Sequence, residues 1–250
     1  MADTFVWYEL MTPDPAKAAA WYAKVVGWAV EPIGDYTLLK TAKGGVAGIT
    51  TPRPEIAATG LPPGWLGYVG VDDVDAAADA VAKAGGKVLT PAHDIPGMLR
   101  MAVVSDPQGV VYAVFRGFSP EGPPTGGPDE IGYWGWRELF TADAPKAMDY
   151  YAAQYGWTRG DAHDMGPMGV YQLFDVDGVQ TGGMMNRPAD MPHSVWNFYA
   201  QVDAAGACAE RIKAGGGQVV MGPHQVPGGL WVVQGVDPQG VFCSFISEKP

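Results

Sequence analysis

The chain has 250 residues, of which 47% are hydrophobic and 17% charged, enough apolar material for packed cores and too little charge for a disordered chain. A net charge of −11 opposes binding to nucleic-acid phosphates, and a neutral, zwitterionic or cationic small molecule is the easier partner. The apolar runs are short and broken by Gly, Pro or charge, so no membrane helix is expected, and the start Met1-Ala2-Asp3-Thr4-Phe5 lacks a basic leader, which places the protein in the cytoplasm.

In chain order, residues 5–10 read as a strand. Asp14-Pro15 then opens a helix as N-cap acid and first-turn proline; Ala18, Trp21, Tyr22 and Val25 form its apolar stripe and Gly27 ends it. Strands follow at 36–39 and 47–50. The scheme restarts with a strand at 66–71 and a helix over about residues 73–84, stopped by Gly85-Gly86, before strands at 87–89, 101–104 and 110–115. Each half reads β-α-β-β-β. Asp106-Pro107-Gln108-Gly109 carries the residue order of a type I turn between two strands, and no chemistry is assigned to it.

Everything then recurs. Trp7-Tyr8-Glu9-Leu10-Met11-Thr12 matches Trp136-Arg137-Glu138-Leu139-Phe140-Thr141, Trp21-Tyr22 matches Tyr150-Tyr151, and Gly27-Trp28 matches Gly156-Trp157. Further on, Tyr36 matches Tyr171, Ala47-Gly48 matches Gly182-Gly183, Trp65 and Tyr68 match Trp196 and Tyr199, and the turn matches Asp237-Pro238-Gln239-Gly240. The second copy carries an insertion around Gly160 to Met165. Ser119 to Pro128, rich in Pro and Gly, reads as a linker, giving domains over 1–118 and 129–250.

Four βαβββ modules, aromatic-paired helices ending in Gly-Trp and late Asp-Pro-Gln-Gly turns together resemble the vicinal oxygen chelate superfamily of glyoxalases, bleomycin-resistance proteins and extradiol dioxygenases. The resemblance implies an α+β fold in which modules pair into two domains with cupped mixed sheets. It also implies metal ligands, two His and a Glu, on the inner face of a cup. The matching positions here hold Trp7 and Trp136, Leu66 and Asn197, and Ala113 and Ser244. None suits a divalent ion, which needs several converging N, O or S donors, so no metal or other cofactor is expected.

Strand alternation puts Trp7, Glu9 and Met11 on one face. If that face and its copy at Trp136 and Glu138 line the cups, Glu9 and Glu138 are desolvated acids, candidate general bases or ligand anchors; the alternative is a structural tie to Arg100, Arg137 or a backbone N–H. Trp65, Tyr68, Trp196 and Tyr199 offer flat rings to a planar ligand, or serve as core, and Asn197 adds a polar handle to the second copy alone. His93 and His224 read as loop residues, and Cys208 and Cys243 as free buried thiols. The expected function is metal-independent binding, of sequestering or resistance type, of a planar or amphipathic small molecule by a monomer or homodimer. The alternative is a lyase, isomerase or dioxygenase-type enzyme using Glu9 or Glu138 as base, or a non-standard metal site.

Overall fold

The computed structural model describes residues 3–52, 62–117 and 130–250, so the Pro/Gly linker lies outside the described residues. The first copy runs β1 (Phe5–Met11), α1 (Pro15–Val26), β2 (Ala29–Ile33), β3 (Tyr36–Thr41), β4 (Gly44–Thr50), β5 (Gly64–Gly70), α2 (Val74–Lys83), β6 (Lys87–Ile95), β7 (Leu99–Ser105) and β8 (Val111–Gly117). The second runs β9 (Trp134–Thr141), α3 (Ala144–Tyr155), β10 (Thr158–Asp164), β11 (Val170–Val176), β12 (Val179–Asn186), β13 (Val195–Gln201), α4 (Ala205–Ala214), β14 (Gln218–Gln225), β15 (Trp231–Val236) and β16 (Phe242–Ser247). Each copy is therefore two βαβββ modules.

The caps explain why the helices start and stop where they do. The Asp14 carboxylate accepts the Lys17 N–H at 3.0 Å, Asp73 accepts that of Ala76 at 3.0 Å and Asp143 that of Lys146 at 3.1 Å. Gly27 and Gly156 close α1 and α3 in the left-handed conformation, at φ 94° and 72°, which a residue with a Cβ adopts only under strain.

Each copy builds one eight-stranded sheet, in the order β2-β3-β4-β1-β5-β8-β7-β6 and β10-β11-β12-β9-β13-β16-β15-β14. Within every module the first and last strands pair in parallel, Glu9 facing Gly48 and Glu138 facing Gly183, while hairpin neighbours pair antiparallel. β2 was not expected from its sequence. It is exposed along its whole length and carries Pro32, so it lacks the apolar alternation that reveals a half-buried strand. The Gly160 to Met165 insertion lengthens the β10–β11 hairpin and adds a 3-10 turn at Gly166–Met168.

Sheets follow the copies, but compact packing does not. One compact unit comprises Met1–Trp7, Leu66–Gly122 and Arg137–Asn197, and the other Tyr8–Trp65, Pro123–Trp136 and Phe198–Pro250, each taking about half of either copy. In the first unit the Trp157 ring lies between Phe174 and Tyr151, with centroids 4.7 and 5.1 Å away and planes within 8° and 11°, and its N–H donates to the Asp3 carbonyl at 2.7 Å. In the second, Trp134 stacks on Tyr8 at 4.3 Å, meets Trp65 edge-on at 5.0 Å and donates to the Val46 carbonyl at 3.1 Å.

The repeated turns contribute more than a change of direction. Asp106 is buried, and one carboxylate oxygen accepts the N–H groups of Gln108 and Val110 at 2.8 and 2.9 Å; Asp237 does the same for Gln239 and Val241. Burial pushes both carboxyls above the usual value of 3.8. The glutamine then reaches outward. In one unit the Gln108 amide donates to the Asp143 carbonyl at 2.9 Å and accepts the Asp143 N–H at 2.7 Å; in the other, Gln239 makes the same pair with Asp14, both at 3.0 Å. Each turn thus clamps the N-cap of a helix belonging to the other copy. Gln108→Ala and Gln239→Ala should each cost about 1–2 kcal/mol in denaturant unfolding, for two hydrogen bonds of ordinary strength. The double variant should show their sum, because the two clamps share no partner.

Candidate functional site

A carboxylate on a sheet face is held by whatever the neighbouring strands can extend towards it. Glu138 lies on β9, between β12 and β13. Its β12 neighbour is Gly183, and across that strand Tyr171 on β11 lays its ring over the glycine. A Cβ on Gly183 would stand 2.2 Å from Tyr171 Cε1 and 2.6 Å from its hydroxyl, so only glycine leaves room for the reach. The Tyr171 hydroxyl donates to Glu138 Oε1 at 3.0 Å, and from the opposite side the Asn197 amide on β13 approaches Oε2 at 3.4 Å, a long contact. Glu138 is half-buried and Asn197 buried.

The first copy repeats the scheme with one difference. Glu9 faces Gly48, and a Cβ there would fall 1.6 Å from the Tyr36 hydroxyl, which places that hydroxyl over the glycine beside Glu9. Where the second copy has Asn197, the first has Leu66, and Glu9 is only 5% exposed. Glu9 is thus the more deeply buried of the two acids. The asymmetry extends along the sheet: buried Gln234 and Ser244 occupy the positions of Val103 and Ala113 in the first copy. Gln234 donates to the Tyr199 hydroxyl at 2.5 Å, and Ser244 faces both residues in register.

The expected site residues divide. Glu138 and Asn197 come together, joined by Tyr171, which sequence reasoning matched to Tyr36 without giving it a role. Trp136 packs with Tyr199, Val226, Leu230, Val232 and Ile246, half-buried against that cluster, and Trp7 is half-buried on β1. Tyr68 is buried edge-on to Phe115 at 5.8 Å.

Trp65 and Trp196 are each tied by a hydrogen bond to a helix tyrosine. Trp65 donates its N–H to the Tyr22 hydroxyl at 3.0 Å and packs on Tyr22, Trp28 and Trp134; Trp196 donates to Tyr151 at 2.9 Å and packs on Phe5, Tyr151 and Trp157. Both rings face the helices, because Tyr22 and Tyr151 supply the buried acceptors that an indole N–H requires. Tyr151 passes the chain on to Asp106 at 3.3 Å, and Tyr112 links Tyr150 and Tyr155 at 2.9 and 2.7 Å. Burial pushes the Tyr150 phenol up to about 12 and raises those of Tyr112, Tyr151 and Tyr155 as well, so these hydroxyls stay protonated.

Arg100, one expected tie for the acids, turns its guanidinium to Asp75 and Asp94 at 2.7 and 2.8 Å. His93 and His224 lie in β6 and β14 rather than in loops, each beside an irregularity in strand register that accommodates the intervening Pro. Among the described residues no three His, Cys, Asp or Glu side chains are placed to hold a metal ion. The residues at the implied ligand positions, an indole, an amide or leucine, and a hydroxyl or methyl, do not fit a divalent ion.

A family model for the Glyoxalase/Bleomycin resistance protein/Dioxygenase superfamily matches twice, over residues 4–114 and 133–245. The chain belongs to this superfamily. Among curated members it is 32% identical to the Mycobacterium bovis protein named "Putative glyoxylase CFP32", over 98% of this chain and 94% of that one. It is likewise 32% identical to the anthracycline biosynthesis protein DnrV of Streptomyces peucetius, over 97% and 92%. Solved members share the fold at low identity. The Mn(II)-bound glyoxalase of Novosphingobium aromaticivorans superposes with a TM-score of 0.66 at 16% identity, covering 100% of this chain and 82% of its own. The 2,2',3-trihydroxybiphenyl 1,2-dioxygenase of Sphingomonas wittichii gives 0.69 at 14%, covering 99% and 91%. No described helix is long and apolar enough to cross a membrane.

Proposed function

We propose that this superfamily member binds a planar or amphipathic small molecule without a metal ion, at Glu138, Tyr171 and Asn197 of the second copy. The observation that carries the reading is the carboxylate of Glu138. It is half-buried and oriented by a phenol and an amide, on a sheet whose implied metal-ligand positions hold side chains unsuited to a cation. Such an acid anchors a ligand by hydrogen bonding and leaves stacking and exclusion of water to the aromatic residues around it. Two curated relatives named as anthracycline biosynthesis proteins favour a planar fused-ring ligand.

A second reading, a lyase, isomerase or related enzyme with Glu138 as general base, draws on the same geometry, since a half-buried acid held in place by a phenol is positioned to take a proton from a bound molecule. Titration of the full chain with hydroxyanthraquinones, followed by tryptophan quenching with and without EDTA, tests the first reading. It expects saturable binding of one ligand per chain, unaffected by chelation and with the ligand recovered intact. Conversion of the ligand would transfer the assignment to the second reading, and binding that disappears with EDTA would overturn both metal-free readings.

A further inference from the structure

Building on the binding reading, we infer that the ligand carries a carboxylate at the end remote from Glu138, and that Arg187 receives it. Arg187 follows β12 directly. Its backbone N–H donates to the Thr141 carbonyl at 2.7 Å, which carries the parallel pairing with β9 one residue past Asn186. Strand alternation therefore puts its side chain on the face shared by Gly183 and Met185, opposite that of Asn186, whose side-chain oxygen accepts the Ala144 N–H at 2.8 Å. Gly183 is the residue beside Glu138, and four residues of extended chain, about 13 Å, lead from it to Arg187.

What singles out Arg187 is a cation drawn out of water without an anion. The side chain is half-buried, and its Nε is buried with no hydrogen-bond acceptor. Nη1 donates to the Met191 carbonyl, which is neutral. No ion pair among the described residues includes Arg187, although the chain holds 27 acidic residues to 16 basic ones. A guanidinium left in that condition is costly, and acids able to relieve it are in surplus, so the vacancy is kept for an oxygen pair brought from outside. The edge formed by Nε and Nη2 matches a carboxylate, whose two oxygens accept parallel N–H bonds. Its cover is light. Pro188, Ala189 and Asp190 are exposed, and their turn is closed by the Met191 N–H donating to the Pro188 carbonyl at 3.1 Å. The net charge of −11 weakens the approach of an anion, but physiological salt screens it beyond about 8 Å, whereas an ion pair at contact survives.

The test compares two compounds of one shape, anthraquinone carboxylate and anthraquinone carboxamide, by isothermal titration calorimetry on the full chain. At neutral pH the carboxylate is expected to bind about 10-fold tighter or more, the usual range for replacing a neutral hydrogen bond by a charged one. That preference should shrink with added salt and vanish as the pH falls through the ligand carboxyl's own pKa. Arg187→Met should abolish the preference and, because it removes an unpaired buried cation, should hold or raise the unfolding midpoint. Arg187→Lys keeps the charge without the fork and should retain a reduced preference. Equal affinity for the two compounds, or a preference that survives in Arg187→Met, overturns the carboxylate site and leaves the binding reading standing. A marked fall in the midpoint of Arg187→Met makes the guanidinium structural and likewise overturns the site alone. Binding of neither compound by a chain shown folded by circular dichroism overturns both.

Discussion

Trp157→Ala is expected to lower stability by about 3–5 kcal/mol, the range for deleting a fully buried indole. In thermal unfolding followed by circular dichroism this should appear as a fall of about 10 °C. The ring is 2% exposed, its two faces are covered by Phe174 and Tyr151, and Phe5 and Trp196 meet it at 5.8 Å. Nothing in that arrangement can collapse into the vacated space without giving up a second stack, so the cavity persists. The Asp3 carbonyl also loses its donor. Trp157→Phe separates the contributions: it retains a ring between the two faces and gives up the hydrogen bond, so its cost should fall well below that of alanine.

Gly182→Ala should cost about 3 kcal/mol or more, while its neighbour Gly183→Ala should leave stability nearly intact. A Cβ on Gly182 would come 2.1 Å from the Arg137 carbonyl oxygen and 2.6 Å from two atoms of the Phe174 ring. The carbonyl is backbone, fixed by the parallel pairing of Gly182 with Arg137, so the strands themselves would have to part. On Gly183 the three atoms nearest the new methyl all belong to Tyr171, a side chain that can swing away. That swing should break the Tyr171–Glu138 hydrogen bond and weaken ligand binding while the unfolding midpoint holds. A large stability loss in Gly183→Ala, or none in Gly182→Ala, would contradict the geometry.

What the sequence revealed and what it concealed separate by the range of the interaction. The cap at Asp14 and the stop at Gly27 are satisfied within a few residues, and they were legible at once. The duplication was legible because it repeats whole motifs in order. Strand β2 was not, because an exposed edge strand has no buried face to impose a pattern on it. Alternation along β5 and β13 separates two faces but does not say which meets the helices. For that reason the sequence does not reveal that Tyr22 and Tyr151 accept the N–H groups of Trp65 and Trp196.

The candidate site was half legible. Glu9 and Glu138 stood out as acids among aromatics, and Asn197 as the polar substitute for Leu66. The role of Tyr171 required knowing that Gly183 lies between it and Glu138, a relation across three strands that sequence order does not contain. The signal was nonetheless present, since tyrosine, a single shared glycine (Gly48 and Gly183) and glutamate recur together in both copies. The glutamines of the two turns were overlooked for the same reason: Gln108 acts on residue 143 and Gln239 on residue 14, while the turn itself accounts only for Asp, Pro and Gly.

That last contact sets the order in which the molecule can be completed during synthesis. The N-cap of α1 is made 225 positions before the side chain that clamps it. Until residue 239 emerges, the opening helix has its local cap and lacks its distant one, and the compact unit it belongs to has no second half. Closure over so long a span is slow compared with helix formation, so the aromatic surfaces of Tyr8, Trp28 and Trp65 await Trp134 and Phe198 long after the local elements can form. A duplication that in principle could have yielded two self-sufficient copies has instead yielded helices whose caps are completed by the other copy.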